Sequence, residues 1–299
     1  MNKGQDYPAL YQISLLLLSF DPNYCIIKLV QERIKFMLYF ADNDFKLTEK
    51  NPFTNEPYND NWLMYELTDS HDYEFFCGKV NGSIYCIRAS KHSSNWQMSL
   101  GDFIDFNKEK NIILVITRDE YKQSLFMYRH HNCQDCFLRK YESKVLVHST
   151  TYDNWCLIKN YNLLKSFNSI CNNCSEPIGK LLGDPDEFQD YIMFSNGNVA
   201  GEIVVASKEN NKISMDVNAP YITGARLYFD ARKIAEDGLL IRDGIHMKVK
   251  DELPLYPYLL WVATYKNTGL KSRVSTPKEF TEKSNSKFCE MFKEYGSCF

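Results

Sequence analysis

Val145-Leu-Val-His-Ser-Thr150 is an apolar run that ends on three polar residues. Branched side chains in succession favour a short buried strand. Such a strand delivers an imidazole and two hydroxyls to its C-terminal end. Directly downstream, Asn154 to Lys165 carries helical spacing through Trp155, Ile158 and Leu164. Taken alone, a histidine at a strand end is most often a satisfied structural residue, and His-Ser-Thr by itself carries no motif.

Working outward from this stretch, Ile203–Ala206 and Leu227–Phe229 are apolar enough to be strands, and the Lys-, Glu- and Ser-bearing tail after Thr276 is expected to be a peripheral helix. Upstream, Ile112–Thr117 reads as a buried strand and Glu120–His130 as a helix. Tyr73–Val80 and Ser83–Ala89 flank Asn81-Gly82, the dipeptide that supplies two positive-φ positions to a tight hairpin turn. Asn51–Asp60, rich in Asn and Pro, is a loop. Ala9–Phe20 and Tyr24–Phe40, parted at Asp21-Pro22-Asn23, read as a helical hairpin. The texture changes between about Arg129 and Lys144. This predicts an amino-terminal mixed α/β domain over residues 1–140 and a second domain over residues 141–299, an α+β chain overall.

The 299 residues are 44% hydrophobic and 24% charged, which excludes the disordered and collagen-like classes. Thirty-five Lys and Arg against 38 Asp and Glu give a formal charge of −3, so no global basic field holds nucleic acid or an anionic membrane, although a local basic groove is compatible. The apolar run Ile13–Leu18 is shorter than the roughly 20 residues of a bilayer span, and it lacks a cleavage pattern. A cytoplasmic protein without a membrane partner is expected, and its ten cysteines are expected to be reduced.

Cys133-Gln-Asp-Cys136 and Cys171-Asn-Asn-Cys174 are two C-x-x-C units. At that spacing two thiolates from one tight turn occupy adjacent corners of a zinc tetrahedron, so Cys133, Cys136, Cys171 and Cys174 would close a structural zinc site. His130 and His131 are alternate ligands. Unligated turn cysteines are the other reading.

The segment from Lys144 to Val262 resembles the ADP-ribosyltransferase superfamily, and within it the RNA 2'-phosphotransferases. The likeness rests on an ordered series: Val145-Leu-Val-His-Ser-Thr150, Leu227-Tyr-Phe-Asp-Ala231, Asp237-Gly238, Arg242-Asp-Gly-Ile-His246 and Leu253-Pro254 through Tyr258-Leu259. The resemblance implies a split β-sheet that binds NAD as substrate and polarises the bond between nicotinamide and ribose. It assigns His148 to a ribose hydroxyl, the main chain of Ser149 to the carboxamide, and Thr150 to the diphosphate or ribose.

In Asp190-Tyr-Ile-Met-Phe-Ser195 the family register falls on Met193, and Tyr191, two residues earlier on the same strand face, supplies the stacking ring. Asp243 takes the place of the carboxylate that orients the acceptor. Arg226 and Arg242 are diphosphate ligands. Glu202 is the rival acid and His246 the rival base. Ser149 stands where the family has glycine, and Asp190 is acidic where the phosphotransferases are basic. Transfer of ADP-ribose to a macromolecular acceptor, nucleic acid or protein, is therefore favoured over removal of an RNA 2'-phosphate. A transferase with its own recognition domain resembles toxin and defence systems. The rival class is an inactive, zinc-stapled binding module whose aromatics line a recognition surface.

Overall fold

A computed structural model describes residues 14–21, 24–31, 34–70, 75–80, 84–93, 95–131, 137–171 and 188–295. They group into two units. The first comprises residues 1–130 with Asp243–Ile245, and the second residues 131–242 with 246–299. Both mix helices and sheets, and the chain is an α+β protein.

The first unit is built on a seven-stranded sheet of β1 (Ser14–Asp21), β2 (Tyr24–Gln31), β3 (Ile34–Ala41), β4 (Trp62–Thr68), β5 (Phe75–Val80), β6 (Ile84–Ser90) and β7 (Asn111–Val115). Its order is β1-β2-β3-β7-β4-β6-β5, with the four strands from β3 to β6 parallel and antiparallel strands at both edges. Strict alternation sends Leu38, Phe40, Leu63, Tyr65, Ile112 and Leu114 to one face, under helices α1 (Trp96–Phe106) and α2 (Arg118–His131). Tyr39, Trp62, Met64, Ile113 and Val115 go to the other, where Phe45, Leu47, Phe53 and Tyr58 of the long β3–β4 connection cover them. A parallel sheet needs both faces buried, and this one has them.

The expected helical hairpin is corrected: 14–21, 24–31 and 34–41 are strands paired edge to edge. Unbroken apolar runs do not separate a buried strand from a buried helix. Each strand is eight residues long, within the ordinary range for strands. The expected β5–β6 hairpin is present, although its Asn81-Gly82 turn lies outside the described residues.

The second unit carries two three-stranded antiparallel sheets. One has the order β16-β12-β8, from β8 (Val145–Thr150), β12 (Ala225–Asp230) and β16 (Leu259–Thr264). The other has the order β10-β14-β13, from β10 (Tyr191–Phe194), β13 (Ile241–Arg242) and β14 (Met247–Lys250). Short pairs join β9 (Leu163–Lys165) to β15 (Glu252–Pro254) and β11 (Tyr221–Ile222) to β17 (Val274–Ser275).

Leu146, Ile192, Phe194, Leu227, Phe229 and Val249 form a core shared by the two larger sheets. Helices α3 (Tyr152–Tyr161), α4 (Phe167–Cys171) and α6 (Ala231–Glu236) complete the connections. The opposite face of the β8 sheet, with Val145, Val147, Tyr228 and Ala263, is closed by α5 (Ala200–Glu209) and α7 (Pro277–Met291) through Val205, Phe280 and Phe288.

Two expectations change here. Ile203–Ala206 belongs to a helix rather than a strand, because it packs one side only and leaves Val204 exposed. The tail helix α7 is not peripheral: Phe280, Thr281, Ser284 and Phe288 are buried. Among the described residues no helix is long and apolar enough to cross a membrane.

Candidate functional site

The two larger sheets of the second unit meet where β8 and β10 touch. Val147 and Ser195 exchange both backbone hydrogen bonds, each 2.9 Å, in a β-bridge. The N–H and C=O of Val147 therefore face β10. With a period of two along the strand, those of Ser149 point to the same side, one step beyond the bridge.

His148 stands between these two residues. Its Nδ1 lies 3.0 Å from the carbonyl oxygen of Met193, and its ring meets Phe194 edge-on at 6.1 Å. A carbonyl only accepts, so Nδ1 carries the proton and Nε2 keeps its lone pair. Burial pushes the His148 pKa down; the bond to Met193 opposes this, and the charge of Lys208 adds to it. The ring is thus neutral, with Nε2 an acceptor suited to a hydroxyl group.

Ser149 turns its side chain to the other face. Its hydroxyl donates to Glu202 Oε1 at 2.7 Å. A Cβ at Gly201 would lie 2.5 Å from Ser149 Oγ, so α5 reaches this strand only through a glycine. Thr150 is buried, and its carbonyl oxygen lies where a Cβ on Gly224 would stand, at 1.9 Å. Thr151 then caps α3 by accepting from the Asn154 amide at 3.1 Å.

Ile192 and Phe194 enter the shared core, so alternation turns Tyr191 and Met193 to the opposite face of β10. There the Tyr191 ring lies 4.3 Å from Nζ of Lys248, a buried residue of β14 that stands opposite Met193 in register. Phe188 approaches the same ammonium at 5.6 Å. Met193 meets His148 through its main chain, while the Tyr191 ring faces a cation.

Arg226 and Arg242, expected to hold a diphosphate, are both engaged by groups of the protein itself. Arg226 is fully buried and ion-paired to Glu202. Its fork also donates to Gly197 O at 2.9 Å, Asn285 Oδ1 at 3.1 Å and the Tyr228 hydroxyl at 3.2 Å. It ties the turn after β10 to α5 and α7. Arg242 makes a bidentate pair with Glu142, both bonds 2.6 Å, and donates to Phe137 O at 2.8 Å. It clamps the segment before β8 to β13.

Asp243 is buried and accepts from the Ile245 amide at 3.0 Å, within the three-residue segment that groups with the first unit. His148, Ser149, Tyr191 and Glu202 all belong to the second. The rival base His246 meets Phe188 edge-on at 5.3 Å.

Of the expected zinc ligands, Cys133, Cys136 and Cys174 lie outside the described residues, and Cys171 ends α4. Nδ1 of His130 is 2.7 Å from Phe126 O, its own helix. Among the described residues no group of three or more His, Cys, Asp or Glu is placed to hold a metal ion.

The position of His148 followed from a polar strand end. Glu142, Asn285 and Lys248 carried no comparable signal, because their partners lie 57 to 100 residues away in the chain or on a neighbouring strand. No family model, curated protein or solved structure matches this chain.

Proposed function

We propose that the second unit is an ADP-ribosyltransferase-type domain that binds NAD where β8 and β10 part and transfers ADP-ribose to a nucleic-acid or protein acceptor. The observation that carries the reading is His148: a neutral imidazole at a strand end, its Nδ1–H fixed by Met193 O and its Nε2 an acceptor. That nitrogen accepts from a ribose hydroxyl. The Ser149 main chain, directed past the Val147–Ser195 bridge, is suited to the nicotinamide carboxamide. Glu202 acts through Ser149 as a positioning residue, since its carboxylate is held by Ser149, Thr281 and Arg226.

In the reaction the bond from ribose to nicotinamide breaks, the nicotinamide leaves with the electron pair, and the ribose gains cationic character. A nucleophilic atom of the acceptor then forms the new bond and gives up its proton. Donors aimed at the leaving group before the bond breaks lower this barrier. The resemblance assigns acceptor orientation to Asp243 and the stacking ring to Tyr191, and each is tested separately.

The experiment is incubation with NAD labelled in the adenylate, in lysate, followed by nuclease or protease digestion. Label on macromolecules in the wild type, lost in His148→Ala and Asp243→Ala proteins that remain folded, supports the reading. Undiminished labelling in both variants refutes the site.

A second reading has one observation in its favour. The cation that Asp190 fails to supply beside the second family strand is available from Lys248, opposite Met193. Removal of a 2'-phosphate from an RNA oligonucleotide only when NAD is present would favour an RNA 2'-phosphotransferase.

A further inference from the structure

The chain as a whole is slightly acidic, yet residues 266–287 hold Lys266, Lys271, Arg273, Lys278, Lys283 and Lys287 against Glu279 and Glu282. The fold gathers part of this excess at one place in the second unit. The turn after β16 and the exposed side of α7 enclose a groove of about 490 Å³, lined by Lys266, Thr268, Lys283, Ser286, Lys287 and Glu290 among others. The turn is held in shape from within. Asn267 Oδ1 accepts from the Thr264 amide at 2.8 Å, Asn267 Nδ2 donates to Val262 O at 2.8 Å, and the Thr268 hydroxyl donates to Thr264 O at 2.9 Å.

Aromatic rings adjoin the cations. Tyr152, the first residue of α3, and Tyr265 have ring centroids 6.0 Å apart. Lys266 Nζ lies 5.6 and 5.8 Å from the two rings, and the Arg273 guanidinium carbon 5.3 Å from Tyr152. The acidic partners of three of the cations are exposed: Lys283 with Glu279 at 3.2 Å, Lys287 with Glu290 at 2.9 Å, Arg273 with Asp153 at 3.9 Å. Pairs of this kind are worth little in water and exchange readily for a better anion.

We infer that this surface binds single-stranded nucleic acid, with the groove lysines on successive phosphates and Tyr152 and Tyr265 stacking on unpaired bases. Cations beside aromatic rings are the combination that holds a single strand without reading its sequence. A paired duplex keeps its base faces stacked inside and offers nothing to the rings. An acidic peptide or an anionic membrane would satisfy the lysines alone. The inference concerns surface binding, and holds whether or not NAD is a substrate.

The test is fluorescence anisotropy of the full chain, without NAD, using a labelled mixed-sequence 12-nucleotide RNA and the DNA of the same sequence. Saturable binding to either strand is expected, weakening with salt. The Lys266→Gln/Lys283→Gln/Lys287→Gln protein should bind more weakly and lower the slope of log affinity on log salt by about 0.7 per cation removed. Tyr152→Ala and Tyr265→Ala should each weaken binding by about fivefold or more and leave that slope unchanged.

Circular-dichroism melts confirm that the variants fold. Should either tyrosine variant unfold, Tyr→Phe, which keeps the ring, must bind as the wild type does. Absence of binding to both strands, unchanged affinity in the lysine variant, tighter binding to duplex, or equal competition by polyglutamate or phosphatidylserine vesicles would overturn the inference. Because NAD is absent, failure here leaves the transferase reading untouched, and the reverse holds too.

Discussion

Gly201 leaves the room that the Ser149 side chain occupies, and this one contact sets how closely α5 approaches β8. An added Cβ would stand 3.0 Å from Ser149 Cβ, a contact that rotating the hydroxyl cannot relieve. Gly201→Ala should destabilise the protein by about 1–3 kcal/mol in urea titrations. Ser149→Gly loses the bond to Glu202, worth about 1 kcal/mol. The double variant should be less destabilised than the sum of the two, and strict additivity would show that the residues do not compete for space.

His148 makes a second residue-scale prediction. Its folded pKa lies below the ordinary value of 6.5. Between the two values the unfolded chain binds a proton that the folded chain refuses, so stability falls as pH drops below about 6.5 and levels off below the folded pKa. Melts of His148→Asn should lack that part of the acid slope; an identical slope would contradict a neutral, half-buried ring. The strand that carries this histidine was legible because an apolar run leads into it. The roles of Arg226 and Arg242 were not, since a guanidinium takes whichever carboxylate the fold brings to it: Glu202 for one, Glu142 for the other.

Among the elements, those with alternation and turn chemistry of their own were readable, β5 and β6 flanking an Asn-Gly being the clearest case. Runs apolar without interruption were not. Residues 14–41 were mistaken for helices because short apolar runs carry no period that separates a strand from a helix; the structure pairs them as antiparallel strands. Ile203–Ala206 was mistaken in the opposite direction, its four apolar residues hiding a helix that buries Glu202 and Ser207 beside them.

Helix α7 was recognised as a helix but not as a part of the core. Phe288 stacks between Tyr228 at 4.5 Å and Phe292 at 4.6 Å. Phe288→Ala should cost about 3–5 kcal/mol. Thr276→Ala, which removes the cap on the Glu279 amide, should cost about 1 kcal/mol. Equal, small losses in calorimetric melts would return α7 to the periphery.

At the scale of the molecule, each unit encloses its own pair of cores, one on either side of a sheet. Leu114 is fully buried in the first unit, and Leu114→Ala should lower stability by about 2–5 kcal/mol. At a temperature where that variant is still folded, NAD affinity should be unchanged if the nucleotide belongs to the second unit alone. The sequence places a change of texture between about Arg129 and Lys144, and the two units divide after His130. The excursion of Asp243–Ile245 to the first unit was not legible, because nothing in Arg242-Asp-Gly distinguishes a strand end from a loop that packs elsewhere.

The most direct measurement is a calorimetric titration of NAD into the wild type and into His148→Ala. Saturable binding by the wild type is expected, and about tenfold weaker binding by the variant, the effect of one hydrogen bond of about 1.4 kcal/mol. No heat of binding in the wild type, or the same affinity in both, would contradict the proposed site.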